Sequence, residues 1–264
     1  MALPAPSADT AALVTGASSG IGIDLARELA RRGHNLVLVA RRKQKLDEVA
    51  AELRATGVRV ETLDCDLIDP GARDALPGRI EELGLTVTIL VNNAGYGSGG
   101  RFVSLDAQSE AMMVRLNCET PVALASAYAP KMAERRSGAI LNVASSAGFQ
   151  PLPNQATYGG TKAFMLHWSE ALHAELGGEG VAVTALCPGP VHTEFADTAD
   201  IEGLFEKAPD FTVLSSAEVA KQAIEGLEKG RRVVVPGFAW KVATISGRYT
   251  PRAALLPMMN KFWR

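Results

Sequence analysis

The run Leu13-Val14-Thr15-Gly16-Ala17-Ser18-Ser19-Gly20-Ile21-Gly22 decides the architecture of this chain. It ends one apolar, β-branched stretch and opens an amphipathic helical one. Glycines at such a junction let the backbone turn tightly and approach a pyrophosphate. Free N–H groups at the helix N-terminus then meet the phosphate charge. The spacing is G-x-x-x-G-x-G rather than the commoner G-x-G-x-x-G. A Gly-rich turn alone is modest support for a dinucleotide site, and its place between strand and helix strengthens it.

Working outward, short strand patterns alternate with longer helical ones. Strands are predicted over Ala11–Thr15, Asn35–Ala40, Val58–Leu63, Val87–Asn92, Ala139–Ala144, Val181–Cys187 and Arg232–Val235. Helices are predicted over Gly20–Arg32, Lys43–Thr56, Gly71–Leu83, Leu105–Arg136, Thr157–Leu176 and Ser216–Lys229, with apolar residues at three- and four-residue steps. This alternation predicts an α/β chain with a parallel sheet covered by helices on both faces. Strands as apolar as Leu36-Val37-Leu38-Val39-Ala40 fit burial on both sides. No repeat or linker divides the chain, so one domain is expected.

The second strand ends at Ala40-Arg41-Arg42. An acidic residue at position 40 would grip a ribose 2′-hydroxyl and favour NAD. Here two guanidinium groups follow an alanine, which favours a 2′-phosphate and hence NADP(H), with Ser18 or Ser19 adding a hydroxyl. The plainer reading is that Arg41 and Arg42 merely begin a solvated helix.

The 264 residues carry a net charge of −2, 47% hydrophobic and 21% charged residues, an ordinary globular composition without the basic surface nucleic acid requires. Cys65, Cys118 and Cys187 are read as reduced core thiols of a cytoplasmic protein, and the scattered histidines predict no metal site. The first ten residues lack a signal-peptide pattern, and no apolar run is long enough to span a membrane.

Tyr158 and Lys162 stand four residues apart in a helical segment, on one face. A lysine charge nearby is expected to lower the phenol pKa and make it a usable acid or base. Such a pair is common on surfaces, and its weight comes from its company. Ser145 lies thirteen residues before Tyr158, just past the fifth strand, with Ser146 as its rival. The fourth strand ends in Asn92-Asn93-Ala94-Gly95, Asn117 interrupts an apolar helix, and Cys187-Pro188-Gly189-Pro190-Val191-His192-Thr193 follows the sixth strand. All but Asn117 fall just beyond strand C-termini, where open α/β sheets bind ligands.

In these motifs, running from Thr15 to Thr193, the chain resembles the classical short-chain dehydrogenase/reductase (SDR) family. The resemblance implies a single Rossmann-type domain, a doubly wound parallel seven-stranded sheet with its core over about residues 10–236 and an extension over 237–264. It also implies assembly as a homodimer or homotetramer. Tyr158 would be the proton donor in reduction and the base in oxidation. Lys162 would hold the nicotinamide ribose, Ser145 would hydrogen-bond the substrate oxygen, and Asn117 would support a water relay. Gly16, Ser18, Ser19, Gly20, Ile21 and Gly22 would line the pyrophosphate and adenosine side. Asp66 and Leu67 would meet the adenine, Asn93 and Gly95 would pack along the cofactor, and Pro188, Gly189, Val191 and Thr193 would reach the nicotinamide. Asn117 could instead cap a helix irregularity, and Asp66 could begin a turn before Pro70.

The expected reaction is NADPH-dependent interconversion of a carbonyl and its alcohol. The rivals are an NAD-dependent alcohol dehydrogenase and a non-catalytic, NADP-sensing member of the fold. Tyr96–Phe102, Phe149–Gln155 and Pro190–Phe211, with their aromatics, would close a pocket for a small apolar carbonyl. The tail Trp240–Arg264 holds five basic residues and no acidic one. It could be a flap over the cleft, a subunit contact or a membrane-touching patch. Prolines 251 and 257 disfavour one continuous amphipathic helix and put membrane contact last.

Overall fold

A computed structural model describes residues 3–191 and 213–262. One sheet holds seven parallel strands in the order β3-β2-β1-β4-β5-β6-β7. They are β1 (Thr10–Thr15), β2 (Asn35–Ala40), β3 (Val60–Asp64), β4 (Thr86–Asn92), β5 (Gly138–Val143), β6 (Val181–Leu186) and the short β7 (Val233–Val234). Strand order reverses between β1 and β4, so their C-terminal ends splay apart into a crevice. The glycine-rich turn opens at that point.

All six residues of β2 are buried, and alternate side chains serve opposite cores. Leu36, Leu38 and Ala40 pack with α1 (Gly20–Arg31), α2 (Lys43–Arg54) and α7 (Ser216–Glu228) through Leu25, Leu29, Leu46, Ala50 and Ile224. Val37 and Val39 face α3 (Pro70–Glu82) and α5 (Thr120–Glu134) through Leu76, Ile80, Leu124 and Met132. The near-continuous apolar strands are therefore strands covered on both sides, as the sequence predicts.

One expectation needs correction. Residues 105–136 do not form an uninterrupted α-helix. Helix α4 (Ala107–Val114) passes through one π turn, Arg115–Glu119, into α5. Pro121 supplies the physical reason, for it has no N–H to offer the carbonyl four residues back, which is that of Asn117. The tail is not one continuous helix, as expected: Pro251 separates α8 (Phe238–Tyr249) from α9 (Arg252–Phe262), while Pro257 lies inside α9. No helix among the described residues is long and apolar enough to cross a membrane.

Candidate active site

The turn after β1 is built by its neighbours. Asn93, at the end of β4, donates from Nδ2 to the carbonyls of Thr15 (2.9 Å) and Gly16 (3.2 Å). Thr15 Oγ1 accepts from the backbone N–H groups of Asn93 and Ala94. Asn93 thus fastens the turn to the neighbouring strand while also lining the cleft. Gly22 lies against this junction, where a Cβ would come within 2.5 Å of Asn93 Nδ2 and collide with the Gly16 carbonyl. Gly16 itself has φ +67°, a conformation side chains disfavour.

Three observations test this turn as a dinucleotide seat. Ser19 takes the N-cap position of α1 in extended conformation, yet its side chain caps nothing. The first N–H groups of that helix have no side-chain cap, as is also true of α2 and α8, but here the residues at the helix start line the cleft. Arg42 folds onto the turn, donating from Nε to Ser18 Oγ (3.3 Å) and from Nη2 to the Ser18 carbonyl (3.1 Å). Arg41, exposed beside it, makes no ion pair among the described residues. The residues present fit a nicotinamide dinucleotide, with two guanidinium groups at the adenosine end.

A cleft of about 1140 Å³ runs from this turn across the strand ends. Gly16, Ser18, Ser19, Gly20, Ile21, Arg41, Arg42, Asp66 and Leu67 line one end. Asp66 also accepts a hydrogen bond from Ile68 N–H (3.1 Å), so its local turn role and its place in the wall coexist. Gly95, Ser145, Tyr158, Lys162, Pro188, Gly189 and Val191 line the other end. Thr193, and with it Phe195, Leu204 and Phe205, lies outside the described residues.

Tyr158 and Lys162 enter on consecutive turns of α6 (Ala156–Gly177), and Ser145 stands just past β5. The Ser145 hydroxyl accepts from Ala147 N–H (3.1 Å) and stands near enough to the Tyr158 phenol to favour its ionised form. Ser146, its rival, instead uses its backbone N–H to bind the Pro188 carbonyl (2.9 Å). Lys162 Nζ donates to the Val143 carbonyl (2.8 Å) and lies 5.8 Å from the centre of the tyrosine ring. Burial pushes the phenol up to about 12, which the nearby Ser145 side chain only partly offsets. That corrects the expectation that the lysine would bring it down. Burial likewise brings the ammonium down to about 8.

Asn117 sits behind the cleft wall on the π turn. Its Oδ1 accepts from Tyr96 N–H (3.2 Å), and its Nδ2 donates to the Tyr96 carbonyl (2.9 Å) and Thr161 Oγ1 (3.1 Å). Gly95 lies beside both this carboxamide and Lys162, since a Cβ there would come within 2.9 Å of Asn117 Oδ1 and 3.7 Å of Lys162 Nζ.

Tyr96, Phe149, Leu152 and Gln155 line the cleft as expected, but Phe102 is 66% exposed and points elsewhere. The sequence reading missed Met112 and Leu116 in the outer wall; Ala243, Thr244, Met258 and Met259 from the tail agree with its reading of the tail as a flap over the cleft. Trp240 belongs to the same wall. Its ring occupies the space a Gly189 side chain would need. Helical spacing of Trp240, Ala243 and Thr244 was the available signal, and it does not say what the face packs on.

A nucleotide turn at a strand-order reversal, joined by one cleft to a Ser–Tyr–Lys cluster, defines a nicotinamide-dependent oxidoreductase of the Rossmann type. The family model described as short chain dehydrogenase matches residues 10–202, and the chain belongs to that family. A very-long-chain 3-oxoacyl-CoA reductase of Neurospora crassa is 41% identical over 91% of this chain and 74% of its own length. The chain spans about half the length of proteins of the same name from Podospora anserina and Phaeosphaeria nodorum, 52% of each. Among solved structures, a short-chain dehydrogenase from Sphingobium yanoikuyae in complex with NADPH is 38% identical, with TM-score 0.80 over 94% of this chain and 95% of that one. A bulky-bulky ketone specific alcohol dehydrogenase from Comamonas testosteroni is 35% identical, with TM-score 0.76 over 94% of each chain.

Proposed function

We propose that the chain is an NADPH-dependent carbonyl reductase, interconverting a ketone or aldehyde that carries bulky apolar groups with its alcohol. The observation that carries this reading is the gathering of Ser145, Tyr158 and Lys162 in the same cleft as the glycine-rich turn. A bound nicotinamide dinucleotide supplies the hydride. The protein contributes orientation, electrostatics and the proton. Ser145 holds the substrate oxygen, Tyr158 gives it a proton in reduction, and Lys162 holds the nicotinamide ribose. Asn117 supports a water relay to Lys162.

Arg41 and Arg42, with Ser18, grip the 2′-phosphate, and Asp66 and Leu67 meet the adenine. Asn93, Gly95, Pro188, Gly189 and Val191 would flank the rest of the cofactor. The Sphingobium relative, solved with NADPH, supports this preference. The substrate is larger than the small carbonyl expected from the sequence. The Neurospora name specifies a 3-oxo group on a very long acyl chain, and the Comamonas title a ketone with two bulky sides. A ketone with a bulky substituent is common to both, and a long hydrocarbon side suits the apolar lining around Phe149, Leu152 and Met259.

The test is fluorescence titration with NADPH and NADH, followed by a panel of bulky ketones at saturating cofactor. NADPH should bind more tightly, and Arg41→Asp with Arg42→Ser should reduce its advantage by roughly a hundredfold. Tyr158→Phe should lose on the order of 10³-fold in turnover while keeping NADPH affinity. Near-normal turnover in that variant overturns the reading. A preference for NADH points to the alcohol dehydrogenase alternative, and binding without any turnover points to a sensor.

A further inference from the structure

The π turn that carries Asn117 also touches the adenosine end of the cleft. One residue beyond it, Thr120 opens α5 and is 2% exposed. A threonine in a helix commonly turns its hydroxyl back onto a carbonyl of the preceding turn. Thr120 instead donates from Oγ1 to the carbonyl of Leu67 (2.9 Å), 53 residues away in the chain. That carbonyl lies in the loop between β3 and α3 and accepts from nothing else among the described residues. Leu67 is itself 3% exposed, so its carbonyl has little access to water. Loss of its one partner therefore forces the loop to move.

A second tie runs beside the first. Arg73, buried on α3, donates from Nη1 to Glu119 (2.7 Å), the last residue of the π turn. Leu116, near the start of that turn, packs on the same apolar cluster as Leu67, and both line the cleft. The π turn is held separately through Asn117, which binds Tyr96 and Thr161. The loop has no such independent support around Leu67. The hydrogen bonds of Asp66 and Asp69 stay within the loop and the first turn of α3.

We propose that Thr120 is a positioning residue for the dinucleotide. Its hydroxyl fixes the Asp66–Leu67 wall that meets the adenine. One π turn then sets both ends of the cofactor site, Asn117 beside Lys162 and Thr120 behind the adenine wall. The assignment rests on the reading of the cleft as a nicotinamide dinucleotide site, and it adds a residue that lines no part of that cleft.

The test is fluorescence titration of the full chain with NADPH and with NADH, repeated on Thr120→Val and Thr120→Ser. Valine keeps the branched shape and removes the donor, whereas serine keeps the donor. Thr120→Val should weaken both dinucleotides by the same factor, about tenfold, since adenine is common to them. Thr120→Ser should recover most of that loss. The emission maximum of bound NADPH reports the nicotinamide end and should match the parent's in both variants. Equal affinity in Thr120→Val and the parent overturns the proposal, as does a serine variant that binds no better than the valine one. A loss confined to NADPH would place the effect at the 2′-phosphate and overturn it too. So would an emission maximum that shifts along with affinity, because the whole site would then have loosened. A parent that binds neither dinucleotide removes the cofactor reading and the proposal together. A parent that binds, beside an unchanged Thr120→Val, removes the proposal alone. Should Thr120→Val fail to fold, Glu119→Ala opens the second tie and should weaken both dinucleotides about threefold with the emission unmoved. No loss in that variant overturns the proposal.

Discussion

The ammonium of Lys162 is held by the Val143 carbonyl and enclosed within the protein, and both facts bear on when it is charged. Enclosure brings it down to about 8, while the Tyr158 phenol is pushed up to about 12. Reduction needs the phenol protonated, and it stays so well beyond pH 10. It also needs a positive charge at Lys162, which is present below about pH 8 and lost above. The value of kcat/KM for ketone reduction should therefore be level to about pH 8 and then fall with Lys162. In Lys162→Arg, the residual activity should lose that alkaline fall, because a guanidinium keeps its charge. A fall at the same pH in the variant would assign the titration to another group. Ser145, Tyr158 and Lys162 were legible as candidates because their order and intervals are properties of the chain. Their protonation was not, since it depends on burial among Val143, Cys118, Cys187 and Ser145, residues that only folding brings together.

At the scale of elements, the strands were legible because double-sided burial demands unbroken apolar runs, and β2 shows one plainly. The π turn was not, although its cause stands in the sequence. Apolar periodicity is blind to one extra residue in a turn. Pro121, four residues after Asn117, deprives that carbonyl of its α-helical partner. The wider turn places Asn117 where its carboxamide can bind both backbone groups of Tyr96 and the Thr161 hydroxyl. Deleting Cys118 in a Pro121→Ala background should let α4 run directly into α5, turning Asn117 by about 100° against the downstream helix. Circular dichroism should show helix content retained, and turnover should fall on the order of a hundredfold. A variant as active as the parent would mean the π turn does not position Asn117 for the reaction.

At the scale of the whole molecule, the tail completes a cleft that the sheet only begins. Helix α8 meets the loop after β6 where the Trp240 ring fills the space beside Gly189, and it meets the loop after β5 where Gln150 lies against Gly247. A basic, proline-bearing tail left three readings open, because a helical face is recognisable locally while its partner is chosen by the fold. The structure sets the inner face of α8 against the cleft, so changes there should act on substrate before cofactor. Trp240→Ala removes part of an apolar wall and should raise KM for bulky ketones about tenfold, near 1.4 kcal/mol, a fraction of what a large buried apolar side chain contributes. NADPH affinity should barely move. Gly189→Ala attacks the same contact from the other side, since the added methyl must displace the ring. It should produce a similar rise in KM together with a fall in Tm on the order of 5 °C, because overpacking strains the fold itself. The two variants separate wall from interface. If α8 served chiefly as a subunit contact, both substitutions would change the oligomeric state and leave KM where it was. A rise in KM at constant oligomeric state requires that the tail shape the substrate site.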